Sequence, residues 1–368
     1  MPQARRVGQE WELEGYTLNK QLSQYLDLLR ITAASLVLIR HASNDTVFSD
    51  LSLPDQLGYS SVMIFFVLSG YVITYVAYER EFKLTDFAIS RIARVYSVVL
   101  PALALTVCVD LLTLHLTPPN HAEEFVSSIP VYQYASFPKY VLLDALFGNN
   151  VWGLHESLFS NDVYWSMCFE VYYYCLFAAA FYFRGALRIG LLIVVLACIG
   201  PWPFMRFHLW LFGAGIYLLH KRIFIKQAIA RIIFAITVAL MIYDLATDLN
   251  LRIDSYWGVD GGHWRRFMGD TLTGIIIAVN ILAARYCGFN FGRFGSWFTY
   301  LSSSSFSLYL MHGPLLRFFV GYFGPVDPYV LILIVLGSAW LLSRVTERQK
   351  DIVRDWLKLL SARIVKAV

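Results

Sequence analysis

Apolar runs long enough to cross a lipid bilayer recur along most of the sequence, and they limit what the chain can fold into. A membrane-spanning helix needs about 17 to 25 largely apolar residues. Hydrophobic residues make up 58% of the chain and charged residues 15%, whereas a soluble domain is about 45–50% apolar and about 25% charged. The sequence therefore predicts an all-α integral membrane protein.

The positions of the apolar runs predict about ten transmembrane helices. They cover residues 26–44, 59–78, 93–115, 163–183, 187–200, 205–220, 229–246, 269–284, 297–323 and 327–343. The fifth and sixth are short, and the two prolines of the intervening GPWPFM break a helix, so a re-entrant pair is an alternative there. The predicted domains are a cytoplasmic N-terminal segment (1–25), a membrane domain (26–343) and an amphipathic cytoplasmic C-terminal tail (344–368).

The loops differ in their content of lysine and arginine, which predicts the orientation of the chain. If the N-terminus is cytoplasmic, most of the cations outside the spans fall in cytoplasmic segments, as the positive-inside rule requires. We therefore expect both termini in the cytoplasm. The net charge of +4 follows from this topology and gives no reason to expect nucleic acid as a partner.

The first span, LDLLRITAASLVLIRHASN, contains Arg30 and His41 within its apolar run. A separation of eleven residues leaves the two side chains within about 20° of one helix face and about 16 Å apart along the axis. Charged groups in a span usually face protein or a water-filled cavity, because exposure to lipid is costly. The alternative is that Arg30 extends to the lipid headgroups and His41 only ends the span.

Two arginines lie three residues apart at the start of the third span, in DFAISRIARVY (residues 86–96). Arg91 and Arg94 are neighbours on a helix face, and guanidinium groups bind phosphate well. An equally simple hypothesis is that they anchor the span at the cytoplasmic membrane surface.

The second and fourth spans also contain unusual residues. Ser69 and Gly70 are small, which favours close packing of two helices or a local break. Glu170 lies in an aromatic span near Trp165 and Tyr173, and an intramembrane carboxylate indicates either a functional site or a structural partner for arginine. The cysteines show no metal-ligand clustering, so no metal site is predicted.

Taken in order along the chain, these stretches resemble the acyltransferase-3 family of multi-span membrane acyltransferases. The resemblance rests on LDLLR leading to His41, FFVLSGY (65–71), RIAR (91–94), WSMCFEVYYY (165–174), SFSLYLMHGPL (305–315) and RVTERQ (344–349). It covers nearly the whole chain.

The resemblance implies transfer of an acyl group, usually acetyl, from coenzyme A to a hydroxyl of a glycan or glycolipid of the bacterial envelope, such as lipopolysaccharide or exopolysaccharide. It implies acyl-CoA as the donor substrate with no permanently bound cofactor, and a saccharide or lipid-linked saccharide as the acceptor. The expected location is the bacterial inner membrane, in contact with membrane lipid and with glycan-assembly proteins.

The resemblance and the residue patterns together suggest a role for each site residue. Arg30, Arg91 and Arg94 would hold the phosphates of coenzyme A, and His41 would act as general base or carry the acyl group itself. Glu170 would support His41 or an arginine as part of the catalytic set. The candidates for lining the same cavity are Ser69, Trp165, Tyr173 and His312. The long segment 116–162, with Tyr132, Tyr134, Trp152 and His155, is the candidate acceptor surface.

Two other classes of function explain part of the pattern. A transporter or flippase of a polar lipid or solute would use Arg30, His41 and Glu170 as a path or proton relay. It predicts repeated halves, and the sequence contains no internal repeat. A structural subunit anchored by its arginines leaves the shared face of Arg30 and His41 unexplained, so the acyltransferase hypothesis is preferred.

Overall fold

The computed structural model describes residues 4–7, 10–13, 19–44, 56–116, 131–247, 249, 253, 266–324 and 326–367. Helices dominate these ranges, which confirms the all-α prediction for the membrane part. One short hairpin departs from it: β1 (Ala4–Val7) pairs antiparallel with β2 (Glu10–Leu13), with Ala4 opposite Leu13. Strands of four residues are too short for a periodic signal in the sequence.

The helices follow the order of the predicted spans. The first six are α1 (Lys20–Asn44), α2 (Gln56–Glu79), α3 (Leu84–Leu116), α4 (Val131–Ala145), α5 (Trp165–Tyr182) and α6 (Gly185–Ile199). The others are α7 (Pro201–His220), α8 (Gln227–Thr247), α9 (Phe267–Ala284), α10 (Phe294–Ser302), α11 (Ser305–Phe323), α12 (Pro328–Val345) and α13 (Lys350–Ala367). The segment 116–162, predicted as a long loop, contains α4.

Among the described residues, six helical stretches are long and apolar enough to cross a membrane. They are Lys20–Ser43, Leu57–Glu79, Leu84–Thr113, Gln227–Thr247, Phe267–Ala284 and Pro328–Arg363. The chain is therefore an integral membrane protein. Helices α5, α7 and α11 are 18 to 20 residues long, but their tyrosine, tryptophan, histidine and charged residues lower their hydropathy.

The predicted ninth span, 297–323, was wrong as a single helix, because the structure divides it into α10 and α11. The serine run at this point competes for backbone hydrogen bonds and weakens a continuous helix. A carboxylate then starts α11: Glu347 Oε2 accepts from Phe306 N at 3.1 Å and from Ser307 N at 3.0 Å. By contrast, the predicted break at GPWPFM is confirmed, with α6 ending at Gly200 (φ 73°) and Pro201 starting α7.

One compact unit comprises Met1–Ala33, Pro54–Arg80 and Met205–Ser302. In it α9 packs against α8 and α2. The backbones of α2 and α7 approach closely, because a Cβ atom added at Gly70 would lie 1.9 Å from Trp210 O and one at Gly213 would lie 1.9 Å from Val67 O. Close packing is therefore the confirmed interpretation of Gly70.

The other compact unit comprises Ala34–Leu53, Glu81–Phe204 and Ser303–Val368. Helix α3 is at its centre, since both α11 and α13 pack against it, while α11 also packs against α12 and α5 against α6. Helix α1 contributes residues to both units, which divide after Ala33. His41 and His312 both belong to this second unit.

Candidate active site

Two histidine rings meet in the second unit. His41, in the last turn of α1, and His312, in α11, have ring centroids 5.0 Å apart and planes inclined by 67°. His312 is fully buried, and His41 is partly buried. His41 is predicted to be catalytic and His312 to line the same cavity; the structure brings the two rings together, and their roles stay predictions.

The hydrogen bond that His312 makes identifies which of its ring nitrogens is available to a ligand. Its Nδ1 lies 3.0 Å from Leu308 O, and a carbonyl oxygen only accepts, so Nδ1 carries the proton in the neutral ring. Its Nε2 is then an acceptor. This atom is buried and has no hydrogen-bond partner in the part of the chain that the structure describes. It can accept a proton or a hydrogen bond from a ligand.

A segment with two buried polar residues, Ser160 and Asn161, lies against the same helix, α11. The segment 160–162, between α4 and α5, contacts α11 at three points. Ser160 O lies 3.4 Å from the position of a Cβ added at Gly313, and Asn161 Nδ2 donates to Leu310 O at 3.1 Å. Asp162 Oδ2 pairs with the Arg317 guanidinium at 3.3 Å. These residues lie within the segment 116–162 that was predicted from the sequence as the candidate acceptor surface, but Asn161 was not singled out, although Pro314, which cannot donate to Leu310 O, was a signal that this carbonyl needs another donor.

Helix α5 reaches His312 through Tyr309. The hydroxyls of Ser166 and Tyr309 are 2.8 Å apart, and the centroid of the Tyr309 ring is 6.2 Å from that of His312. One turn beyond Ser166 on α5 is Glu170, whose carboxylate accepts a hydrogen bond from the Tyr174 hydroxyl. Glu170 therefore lies on the face of α5 that leads to the histidines.

The arginines of α3 are in the same unit. Arg91 Nη2 is 3.1 Å from Glu81 Oε1 and 2.6 Å from Ser90 Oγ, and its guanidinium lies 6.0 Å from the centre of the Tyr174 ring. Arg94, one turn later, is half-buried. An incoming phosphate would therefore share Arg91 with Glu81 or displace that carboxylate.

Arg30 belongs to the first unit. Its Nη1 lies 3.3 Å from both Asp27 Oδ1 and Ser302 Oγ, and Asp27 also accepts from Thr299 Oγ1 at 2.9 Å. Arg30 thus sits in a polar cluster with the residues of α10, rather than extending alone to the headgroups. Arg30 and His41 lie on one continuous helix, as the sequence predicted.

Three further predicted site residues, Trp165, Tyr173 and Ser69, have contacts within their own units. In the second unit, Trp165 packs edge-on against Phe169 with centroids 5.2 Å apart, and the Tyr173 hydroxyl donates to Pro203 O at 2.7 Å. In the first unit, Ser69 Oγ accepts from the Trp210 indole at 3.2 Å. Trp165 and Tyr173 belong to the same unit as His41, and Ser69 belongs to the first unit.

The candidate acceptor surface is partly described. Trp152 is 65% exposed and its indole donates to Ala197 O at 2.8 Å. His155 Nδ1 lies 3.2 Å from Asn150 Oδ1. Phe147, Trp152 and Phe159 have left-handed backbones with φ of 57°, 53° and 47°, a conformation that costs non-glycine residues about 1–3 kcal/mol each. The side chains of Tyr132 and Tyr134 lie outside the described residues.

Comparison with known proteins places the chain in a wider group. The family model described as an acyltransferase domain matches residues 23–344, which include His41, Arg91, Glu170 and His312. No curated protein and no solved structure matches the chain. Within the described ranges, no group of three or more His, Cys, Asp or Glu side chains is placed to hold a metal ion.

Proposed function

Because this chain belongs to the acyltransferase-3 family and is a membrane acyltransferase, we propose that it moves an acyl group, most simply acetyl, from acyl-CoA to a hydroxyl of an envelope glycan or glycolipid. The observation that supports this proposal is the contact between His41 and His312 in the second unit. Imidazole is the side chain best suited to exchange a proton near neutral pH.

The proposed reaction uses His41 as general base. His41 takes the proton of the acceptor hydroxyl while that oxygen attacks the carbonyl carbon of the thioester. The tetrahedral intermediate then collapses, the carbon–sulfur bond breaks, and the departing thiolate takes the proton back from His41. The products are an ester on the acceptor and free coenzyme A. Glu170 supports this centre from α5, through the Ser166 and Tyr309 contacts.

The donor is proposed to bind at the start of α3. Coenzyme A carries several phosphate charges, and Arg91 and Arg94 are cations one helical turn apart. Tyr174 lies beside Arg91 and donates a hydrogen bond to Glu170. The proposed donor site and the proposed supporting residue of the histidines therefore contact the same tyrosine on α5. Arg30 remains a predicted contact for the donor.

The proposed topology has about ten spans with both termini in the cytoplasm of a bacterial inner membrane. It places Arg91 and Arg94 at the cytoplasmic face, where acyl-CoA is made. His41, near the end of the first span, is then closer to the outer face, and the segment around Trp152 faces the acceptor. Aromatic surfaces of this kind stack on sugar rings.

Mass spectrometry of envelope glycans tests the proposal. A host strain that lacks the protein is complemented with the normal chain or with His41→Ala. We expect the mass of the acyl group to appear on a glycan only with the normal chain, while both proteins reach the membrane in equal amounts. The same glycan masses in all three strains would contradict the proposal and favour the transporter hypothesis.

A further inference from the structure

The segment 160–162 is held by hydrogen bonds and an ion pair from two helices. From α3, Asp110 accepts hydrogen bonds from Ser160 N at 3.0 Å and from Ser160 Oγ at 2.8 Å. From α11, Arg317 pairs with Asp162. The residue between these two anchors, Asn161, is fully buried.

The amide of Asn161 has one possible orientation. Pro314 has no N–H, so the carbonyl of Leu310 lacks its intrahelical donor, and Asn161 Nδ2 donates to it at 3.1 Å. The same nitrogen donates to Thr106 Oγ1 at 3.0 Å, while the Thr106 hydroxyl donates to Ala102 O at 2.8 Å. Both partners of the nitrogen are acceptors. Asn161 Oδ1 must therefore be the atom that faces away from them.

Asn161 Oδ1 and His312 Nε2 share one property: both are buried acceptors with no hydrogen-bond partner among the described residues. Each is held to the same stretch of α11, His312 through Leu308 O and Asn161 through Leu310 O. A buried acceptor without a donor destabilises a fold. Two such acceptors on one stretch of helix indicate a ligand that brings hydrogen-bond donors.

We propose that Asn161 is a specificity-determining residue of the acceptor site, and that its Oδ1 accepts a hydrogen bond from a hydroxyl of the acceptor next to the one that is acylated. His312 Nε2 accepts from a second hydroxyl or from the reacting one before transfer. This inference rests on the proposed function, since the reacting hydroxyl must reach His41, whose ring touches that of His312. A saccharide presents adjacent hydroxyls as donors, whereas a simple alcohol presents one.

The inference is tested by the position of the acyl group on the glycan. A strain that lacks the protein is complemented with the normal chain, Asn161→Leu, Asn161→Ser or Thr106→Val. Occupancy and position of the acyl group are measured by NMR on the isolated glycan, and protein in the membrane by immunoblot. Thr106→Val is the matched control, because it removes one partner of Asn161 Nδ2 and leaves Oδ1 in place.

We expect the normal chain to acylate one hydroxyl. Asn161→Leu and Asn161→Ser should lower occupancy about tenfold or more and spread the remaining acyl groups over neighbouring hydroxyls. With Thr106→Val, the acyl group should remain on the same hydroxyl as with the normal chain. If Asn161→Leu does not accumulate in the membrane, Asn161→Ser decides the question.

Two results would overturn the inference alone. One is an unchanged position and occupancy in an Asn161 variant present at the normal level, which would mean that a buried water pairs with Oδ1. The other is an equal loss in the Asn161 and Thr106 variants with the position retained, which would make Asn161 a purely structural residue. Absence of acylation by the normal chain is distinguishable from both, since it contradicts the proposed function itself.

Discussion

Asp144 shows how burial changes the chemistry of a single side chain outside the membrane spans. It lies in the last turn of α4, is fully buried, and accepts from Leu158 N at 3.2 Å through Oδ2. Burial disfavours the charged carboxylate and raises its pKa from 3.8 to about 8, against the opposing effect of the Leu158 hydrogen bond. Asp144 is therefore neutral in the folded protein at pH 7.

This raised pKa predicts a pH-dependent stability. Between about pH 4 and pH 8 the folded protein holds a proton on Asp144 that the unfolded chain has released, so the free energy of unfolding falls as the pH rises through this interval. The variant Asp144→Asn carries an uncharged amide at this position, which does not titrate.

The thermal unfolding of the normal chain and of Asp144→Asn should therefore be followed in detergent from pH 5 to pH 9. We expect the apparent midpoint of the normal chain to fall relative to that of the variant as the pH rises. A constant difference between the two midpoints across this range would show that Asp144 does not change its protonation on unfolding.

Arg91 gives a prediction about donor binding. The double variant Arg91→Ala with Arg94→Ala should weaken acyl-CoA binding, and the salt dependence of binding should decrease, because the phosphates of the donor lose their cations. Glu81→Gln is the informative counterpart. It keeps the hydrogen-bonding shape but removes the negative charge that now pairs with Arg91, so it should strengthen donor binding.

Binding of acyl-CoA to the purified protein, measured at two salt concentrations, separates the alternatives. Unchanged affinity in the double variant and in Glu81→Gln would leave Arg91 and Arg94 as anchors at the membrane surface.

At the scale of elements, α11 starts where it does because of a residue distant in sequence. Glu347 Oε2 accepts from two backbone N–H groups of the first turn and lies 3.3 Å from Ser307 Oγ. The sequence near residue 303 shows only a serine run, and nothing local shows that a buried carboxylate will cap the following helix. The break in the predicted span 297–323 could therefore not be placed from periodicity.

Removing this cap should destabilise the second unit. Glu347→Ala leaves two N–H groups of α11 without their acceptor, a change that costs about 0.5–2 kcal/mol at helix N-termini. Glu347→Gln keeps an acceptor oxygen and should cost less. We expect the apparent unfolding temperature in detergent to decrease in the order normal chain, Glu347→Gln, Glu347→Ala; equal temperatures for all three would show that the cap does not stabilise α11.

The close approach of α2 and α7 gives a second prediction at this scale. Gly213→Ala places a methyl group 1.9 Å from Val67 O, whereas a Cβ atom at Gly215 on the same helix meets nothing within 4 Å. Overpacking typically costs about 1–3 kcal/mol or more, while alanine in an open helical position is favourable by about 1 kcal/mol.

Gly213 and Gly215 are two residues apart on the same helix, so each variant is a control for the other. Gly213→Ala should reduce the amount of folded protein and its unfolding temperature, and Gly215→Ala should not. Equal amounts of folded protein and equal unfolding temperatures for the two variants would mean that the backbones of α2 and α7 can separate without a loss of stability.

For the whole molecule, the sequence predicted the all-α membrane class and the family, because hydropathy and the order of motifs can be read from short stretches of sequence; six helical stretches among the described residues are long and apolar enough to span a membrane. It named His41 and His312, which the structure brings into contact across the second unit. It assigned no role to Asn161 or Glu347, since their roles depend on contacts with helices far away in the chain. Polar residues that bond to distant backbone atoms leave no periodic trace.

The orientation of the molecule in the membrane is open to a direct test. Helix α13 exposes Ile352, Trp356 and Leu359 along one stripe, the pattern of a helix that lies on a membrane surface. In a background without native cysteines, Lys358→Cys should react with an impermeant thiol reagent only after the cytoplasmic side is opened. Leu146→Cys, at a position 64% exposed beyond α4, should react from outside; the reverse pattern would contradict the proposed topology.

Acyl transfer at the histidine pair is measured as the initial rate of label transfer from acetyl-CoA to isolated envelope glycan. The normal chain and His41→Ala are compared in membranes that contain equal amounts of each protein. We expect label on the glycan with the normal chain and a rate lower by about 10²-fold or more with His41→Ala, because this variant lacks the general base. Transfer by His41→Ala at the normal rate would show that His41 is not the general base.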